Sequence, residues 1–157
     1  MVASIIICVL KLTSTVSVCV EGYETVLGWE GVGESAFIRE CIEYQPDTGQ
    51  FRVFKDGLYV IISNLAFVGP VGVSDIYGQR VKRSRFPEAV LVNLQQGATG
   101  NHSRVSGSAP VHNSMAAGVR RLRANQLIYV EAKPARRLSR GNEYSYFSLI
   151  KLQDSPN

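Results

Sequence analysis

Few residues in this sequence are suited to nucleophilic, general-base or metal chemistry. There are two histidines, His102 and His112, and three cysteines, Cys8, Cys19 and Cys41. A structural zinc site needs about four thiolate or imidazole ligands set close together. No two cysteines form a C-x-x-C pair, and neither histidine stands near a cysteine. The odd cysteine count leaves at least one thiol free, or paired between chains, in an oxidising compartment. No G-x-S-x-G, H-E-x-x-H or phosphate loop occurs. Gly31-Val-Gly33-Glu-Ser35 has the glycines of a phosphate cradle but lacks its lysine and its following helix. Both histidines fall in the polar stretch from Gln95 to Asn113, which reads as a long exposed loop. A loop histidine is more often a surface group than a general base. The expectation is therefore a protein that binds another protein, is not an enzyme, and uses no cofactor or metal.

The formal charge of +4 is mild but uneven. From Arg104 to Arg140 there are eight Lys or Arg against the single acid Glu131, whereas Glu21 to Glu43 is mostly acidic. Such a basic face suits an acidic protein surface, phosphate or a sulfated glycosaminoglycan; it also suits plain solvation. Nucleic-acid binding would draw on Arg120, Arg121, Arg123, Arg136, Arg137 and Arg140, with Arg80, Lys82, Arg83 and Arg85. A stacking platform needs aromatics interleaved with the cations, and only Phe86 adjoins them, so no nucleic-acid partner is expected. Asn101-His102-Ser103 is an N-glycosylation sequon in the polar loop. Arg80-Val-Lys-Arg83 has the form of a dibasic processing site but abuts a predicted strand, where a cut would break the sheet.

These residues need elements to hold them, and the elements read as strands. A length of 157 residues, 45% hydrophobic and 19% charged, fits one folded domain over residues 1–157 with a sizeable core. The apolar run from Ile5 to Leu10 ends at Lys11, far short of the ~20 residues that cross a bilayer. Its β-branched content predicts a buried strand, and no basic flank marks it as a leader. Strands are predicted at Ser4 to Leu12, Val16 to Val20, Ala36 to Ile38, Cys41 to Tyr44, Gln50 to Phe54 and Gly57 to Val68. More follow at Ser74 to Val81, Glu88 to Leu94, Ser114 to Leu122, Leu127 to Ala132 and Tyr144 to Leu152. In the segment from Leu127 to Ala132, the apolar Ile128, Val130 and Ala132 share one face, as in a strand buried on one side. Gln45-Pro-Asp-Thr-Gly49 and Lys55-Asp-Gly57 carry turn chemistry, with glycine placed to accept positive φ. Many short strands without a helical pattern imply an all-β sandwich or jelly roll of two antiparallel sheets.

Taken in order, the motifs resemble those of tumour necrosis factor (TNF) superfamily ligands. Gly57-Leu-Tyr-Val-Ile-Ile-Ser-Asn-Leu-Ala-Phe67 is similar to their central strand, of the form G-L-Y-x-x-Y-S-Q-V-x-F. Trp29-Glu30 followed by Phe37 resembles the W-E…F segment, and Phe51-Arg-Val53 the short strand before the central one. Phe86-Pro87 with Ala89 to Leu94 resembles the Tyr-Pro motif and its strand. Gly118-Val-Arg-Arg-Leu122 and Asn125 to Val130 resemble G-V-x-x-L…G-D-x-L-x-V. Ser145 to Leu152 resembles the closing T-Y-F-G-x-x-x-L strand. The similarity spans most of the chain.

The resemblance implies a TNF/C1q-like jelly roll that assembles as a homotrimer and binds a TNF-receptor-type cell-surface protein in the groove between protomers. It implies an extracellular location, as a secreted cytokine or the ectodomain of a type II membrane protein. Phe86 matches the loop tyrosine presented to receptors, with Arg83 and Arg85 just before it. Tyr23 and Glu24 are a second candidate contact, while Trp29 is expected to be structural. The trimer interface is expected to draw on Tyr59, Ile62, Met115, Tyr146 and Phe147. The sequence departs from the pattern at Ile62 and Asn64, where the family has Tyr and Gln, and at Met115, where it has an aromatic. Asn125-Gln126 replaces Gly-Asp, and Ser148 replaces a glycine. No cysteine follows Cys41, so a disulfide between top loops is absent. Two other binding functions fit a jelly roll: a C1q-like trimeric recognition module, and a monomeric carbohydrate-binding domain.

Overall fold

The computed structural model describes residues 6–12, 17–20, 22–26, 28–31, 42–68, 76–86, 88–96, 111–134, 137–138 and 145–154. Twelve strands lie among them: β1 (Ile6–Leu12), β2 (Ser17–Val20), β3 (Tyr23–Val26), β4 (Trp29–Gly31), β5 (Ile42–Gln45) and β6 (Gln50–Val53), then β7 (Gly57–Val68), β8 (Ile76–Arg83), β9 (Ala89–Gln96), β10 (Val111–Leu122), β11 (Leu127–Lys133) and β12 (Tyr146–Asp154). One sheet has the order β10-β7-β12-β1-β4, antiparallel throughout. In the second, β8 pairs one edge of β11 while β6 and β3 share the other, end to end; β5, β2 and β9 extend it outwards. The expected all-β jelly roll is present.

The strand predictions place β7 to the residue and the neighbouring strands within two or three positions. Two strands are absent from the sequence reading. β3 and β4 are four and three residues long, too short to show alternation. The predicted strand from Ala36 to Ile38 lies outside the described residues. The polar loop is shorter than expected, because β10 begins at Val111 and places His112 in a strand.

Inward positions of both sheets alternate with outward ones and fill the core between them. Tyr59, Ile61, Leu65 and Phe67 face in from β7, and Val81, Ile128, Val130 and Ala132 from the other sheet. At one end the rings of Phe51 and Phe147 stack at 4.8 Å between centroids. Trp29 packs on both, at 6.0 and 6.2 Å, and its indole N–H donates to the Val26 carbonyl at 3.2 Å. Trp29 is thus a core residue with its one polar atom satisfied. The Tyr44 hydroxyl accepts from the Gly28 amide at 3.0 Å and closes this cluster at its rim.

Two residues expected at a subunit interface are instead inside the sandwich. Tyr59 and Phe147 are 1% and 0% exposed, so neither has surface to offer a partner. Both fall at inward-facing strand positions, and the Tyr59 hydroxyl donates to the Lys55 carbonyl at 2.7 Å. The turn chemistry also divides. Gly49 has φ +70° and its amide donates to the Gln45 carbonyl at 2.9 Å, as the turn requires. Gly57 serves close approach instead: a Cβ there would lie 2.6 Å from the Gln153 carbonyl oxygen.

The inter-sheet space also holds a polar seam. Gln79 is fully buried, and its amide donates to the Ser63 carbonyl at 2.9 Å and the Ser114 carbonyl at 2.5 Å. Its side-chain oxygen accepts from the Ser63 hydroxyl at 2.5 Å. β8 is thereby tied to β7 and β10 of the opposite sheet, and a buried amide with its hydrogen bonds made fixes one registration of the two layers.

Candidate functional site

Three surfaces gather the residues with binding chemistry. The first is the β8–β9 connection, where the Ser84 amide donates to the Leu127 carbonyl at 2.8 Å and the Phe86 amide to the Arg83 carbonyl at 3.3 Å. Arg85 adopts φ +71°, which lets the chain reverse. Phe86 is left 46% exposed. The Arg83 guanidinium lies 4.4 Å from its ring centroid, a cation–π contact that holds the ring outward. The Arg83 Nε is buried without an acceptor. Arg83 thus ends β8, and Arg85 and Phe86 project from the turn that follows it. Among the described residues, Arg80 to Lys82 belong to a stretch of β8 laddered on both sides and Arg83 pairs with Ile128 of β11, so the dibasic motif is held in the sheet.

The second surface is the outward face of β3, β11 and β8. Tyr23 and Glu24 lie in β3 and are half-buried. The Arg80 guanidinium stacks 3.8 Å from the Tyr23 centroid and also pairs with Glu131. Lys133 approaches the same ring at 5.6 Å. Glu131 is 3% exposed, and Arg80 supplies the countercharge that a buried carboxylate needs. Burial, reinforced by the Glu131 charge and opposed by Arg80, raises the Tyr129 phenol above its ordinary value. Nothing near Tyr23 in the sequence marks its cationic partners; strand register brings Arg80 opposite Glu131.

The third surface is apolar. On the outward face of the first sheet, Met115 and Tyr146 both pair with Asn64, and Ile62 lies one outward position further along β7. Met115 is 50% exposed, and Ile62 and Tyr146 are half-buried. Val119 continues the face, and Val92 and Leu94 project from β9 beside it. These last three were not singled out from the sequence; the outward parity of Val92 and Leu94 in β9 is the signal that could have found them. Asn101, with its sequon, lies outside the described residues, as do Arg136 and Arg140. Among the described residues, no group of His, Cys, Asp and Glu is arranged to hold a metal ion.

The family of tumour necrosis factors matches residues 27–152. No curated protein matches the chain. Among solved structures, murine APRIL at pH 5.0 superposes with a TM-score of 0.65 at 21% identity, over 93% of this chain and 98% of that one. The Eiger TNF of S. frugiperda gives 0.66 at 14% identity, over 98% of this chain and 96% of that one. Identities this low establish a shared fold, whereas the family match spans most of the chain. From the ordered motifs, the jelly roll and that match, the chain belongs to the tumour necrosis factor family, as a cytokine-type ligand and not an enzyme.

Proposed function

We propose that the protein acts outside the cell as a homotrimer that binds and clusters a TNF-receptor-type protein on a cell surface. It reaches that place as a secreted cytokine or as the ectodomain of a type II membrane protein. The observation that carries this reading is the apolar surface formed by Met115, Val119, Val92 and Leu94. Exposed large apolar side chains gathered on two adjacent edge strands mark an interaction site, and full burial of each such side chain is worth ~1.5–3 kcal/mol. Its two parts lie on different elements, so a face of one copy meets the flank of the next. Contacts of unlike surfaces close into a ring where the rotation between copies permits, and a trimer is the smallest such ring.

The receptor contact falls to Phe86, flanked by Arg83 and Arg85, with Tyr23 and Glu24 as a further part. An aromatic anchor beside planar guanidinium groups is the composition of a binding hot spot. Light scattering at micromolar concentration checks the assembly, and a strict monomer rejects it. A screen of TNF-receptor-type ectodomains then compares the parent with Phe86→Ala. Loss of binding by an intact trimer supports the loop assignment, and undiminished affinity rejects it. The basic residues, including the exposed Arg121 and Arg123, suit a sulfated glycosaminoglycan as a secondary contact. Retention on heparin beyond that on a plain cation exchanger is the expected result.

A further inference from the structure

β9 and β10 are each the last strand of their sheet, yet their edges are not bare. Among the described residues β9 pairs only with β8, and β10 only with β7. The two edges run side by side on one flank of the sandwich, without a backbone ladder between them. Side chains bridge the gap instead. The Arg120 Nε donates to the Val90 carbonyl of β9 at 3.1 Å, and its Nη1 donates to the Val119 carbonyl of β10 at 2.8 Å. One guanidinium thus spans both edges. Further along, the Asn93 amide donates to the Met115 carbonyl, and the Ser114 hydroxyl donates to the Asn93 carbonyl at 3.3 Å.

The space for this clip is built in. At Gly118 a Cβ would lie 2.7 Å from the Leu91 Cδ2 and 3.3 Å from the Arg120 Nη1. With glycine there, the leucine and the guanidinium both keep their places; a Cβ would have to push these side-chain tips aside. The same flank carries the exposed Val92, Leu94, Met115 and Val119. An apolar edge with open carbonyls templates the addition of another strand, the usual route to edge-to-edge aggregation. Here the edge carbonyls of Val90, Met115 and Val119 are already occupied.

We infer that Arg120 is a specificity-determining residue of self-association: by capping edge acceptors of both β9 and β10 it bars strand addition on this flank. A second copy of the chain can then use the flank only through side chains. The inference rests on the reading that the chain self-associates there. Lysine cannot replace the clip, because its single ammonium lacks the rigid fork that reaches two carbonyls at once.

The experiment compares the whole chain with Arg120→Ala, Arg120→Lys and the control Arg123→Ala. It follows size by light scattering, strand addition by thioflavin fluorescence and the intermolecular β-sheet infrared band, and folding by near-ultraviolet circular dichroism. Both Arg120 variants are expected to keep the native dichroism and to become thioflavin-positive several-fold faster than the parent, while Arg123→Ala matches it. The inference is overturned if both Arg120 variants stay thioflavin-negative, or if Arg123→Ala aggregates equally fast and charge alone decides. Should Arg120→Ala not fold, Arg120→Lys, which retains stem and charge, carries the comparison. A parent chain that is monomeric rejects the trimer alone, because the strand-addition signal is read separately.

Discussion

At Gly78 the chain has no room for a side chain. The residue adopts φ +147°, and a Cβ there would lie 2.1 Å from the Asn93 carbonyl oxygen and 2.9 Å from the Leu94 Cα. Both neighbours are backbone of β9, so nothing can swing aside. Gly78→Ala is expected to cost ~3 kcal/mol, from strain plus lost β8–β9 pairing, read as a lowered thermal midpoint. Tyr59 sets an alkaline limit on stability. Burial first, then the nearby Asp154 and Asp56 charges, push its phenol from the ordinary value of 10.0 to about 12. The folded state then holds this proton more tightly than the unfolded state does. Stability is expected to be intact below pH 10 and to fall as pH rises towards 12, checked by denaturant titration across that window. Asp154 is held low chiefly by its hydrogen bond from Lys151, so its contribution is present at neutral pH and lost under acid. Neither effect was legible in the sequence. Tyr59 sits in a recognisable strand motif, but burial depends on which face of the strand turns in.

Among the elements, the long strands announced themselves and the short ones did not. β7 and β11 carry β-branched and apolar residues in runs that fix both type and bounds. β3 reads Tyr-Glu-Thr-Val and is held by partners remote in sequence, Arg80 from β8 and Glu131 from β11. The same remoteness hid the aromatic cluster. Phe51 and Phe147 are far apart in sequence and stack because β6 and β12 face each other across the sandwich. Phe51→Ala is expected to cost ~3–5 kcal/mol through the cavity it leaves, seen as a shifted urea midpoint with an unchanged slope. Tyr23→Ala removes an exposed-side cation–π contact worth ~1 kcal/mol. Its expected signature is local: faster hydrogen exchange in β3 with the β7 amides unchanged.

For the whole molecule, the motif order gave the fold, but the face each motif turns outward required the sheets. Ile62, Met115 and Tyr146 do share the outward surface of the first sheet, whereas Tyr59 and Phe147 turn into the core. A motif identifies a strand; a one-residue step along it exchanges core for surface. Met115→Lys places a charge on the proposed trimer surface while leaving the sandwich interior untouched. Light scattering is expected to show monomer at concentrations where the parent is trimeric, with thermal stability of the isolated subunit within ~0.5 kcal/mol.

β11 is gripped along one edge by β8, while its other edge is divided between β6 and β3. β3 meets β11 through Thr25–Glu131 and Glu24–Ala132, and among the described residues β2 pairs only with β3. The β2–β3 ribbon is therefore a tile laid against a finished wall: no other described strand needs it for pairing. Exchanges at Tyr23, Glu24 and Thr25 alter one half-buried margin and spare the core that β3 enters at Val26, whereas the same change in β8 would open both the β11 and β9 ladders. The molecule thus has a margin that can diversify and a wall that cannot.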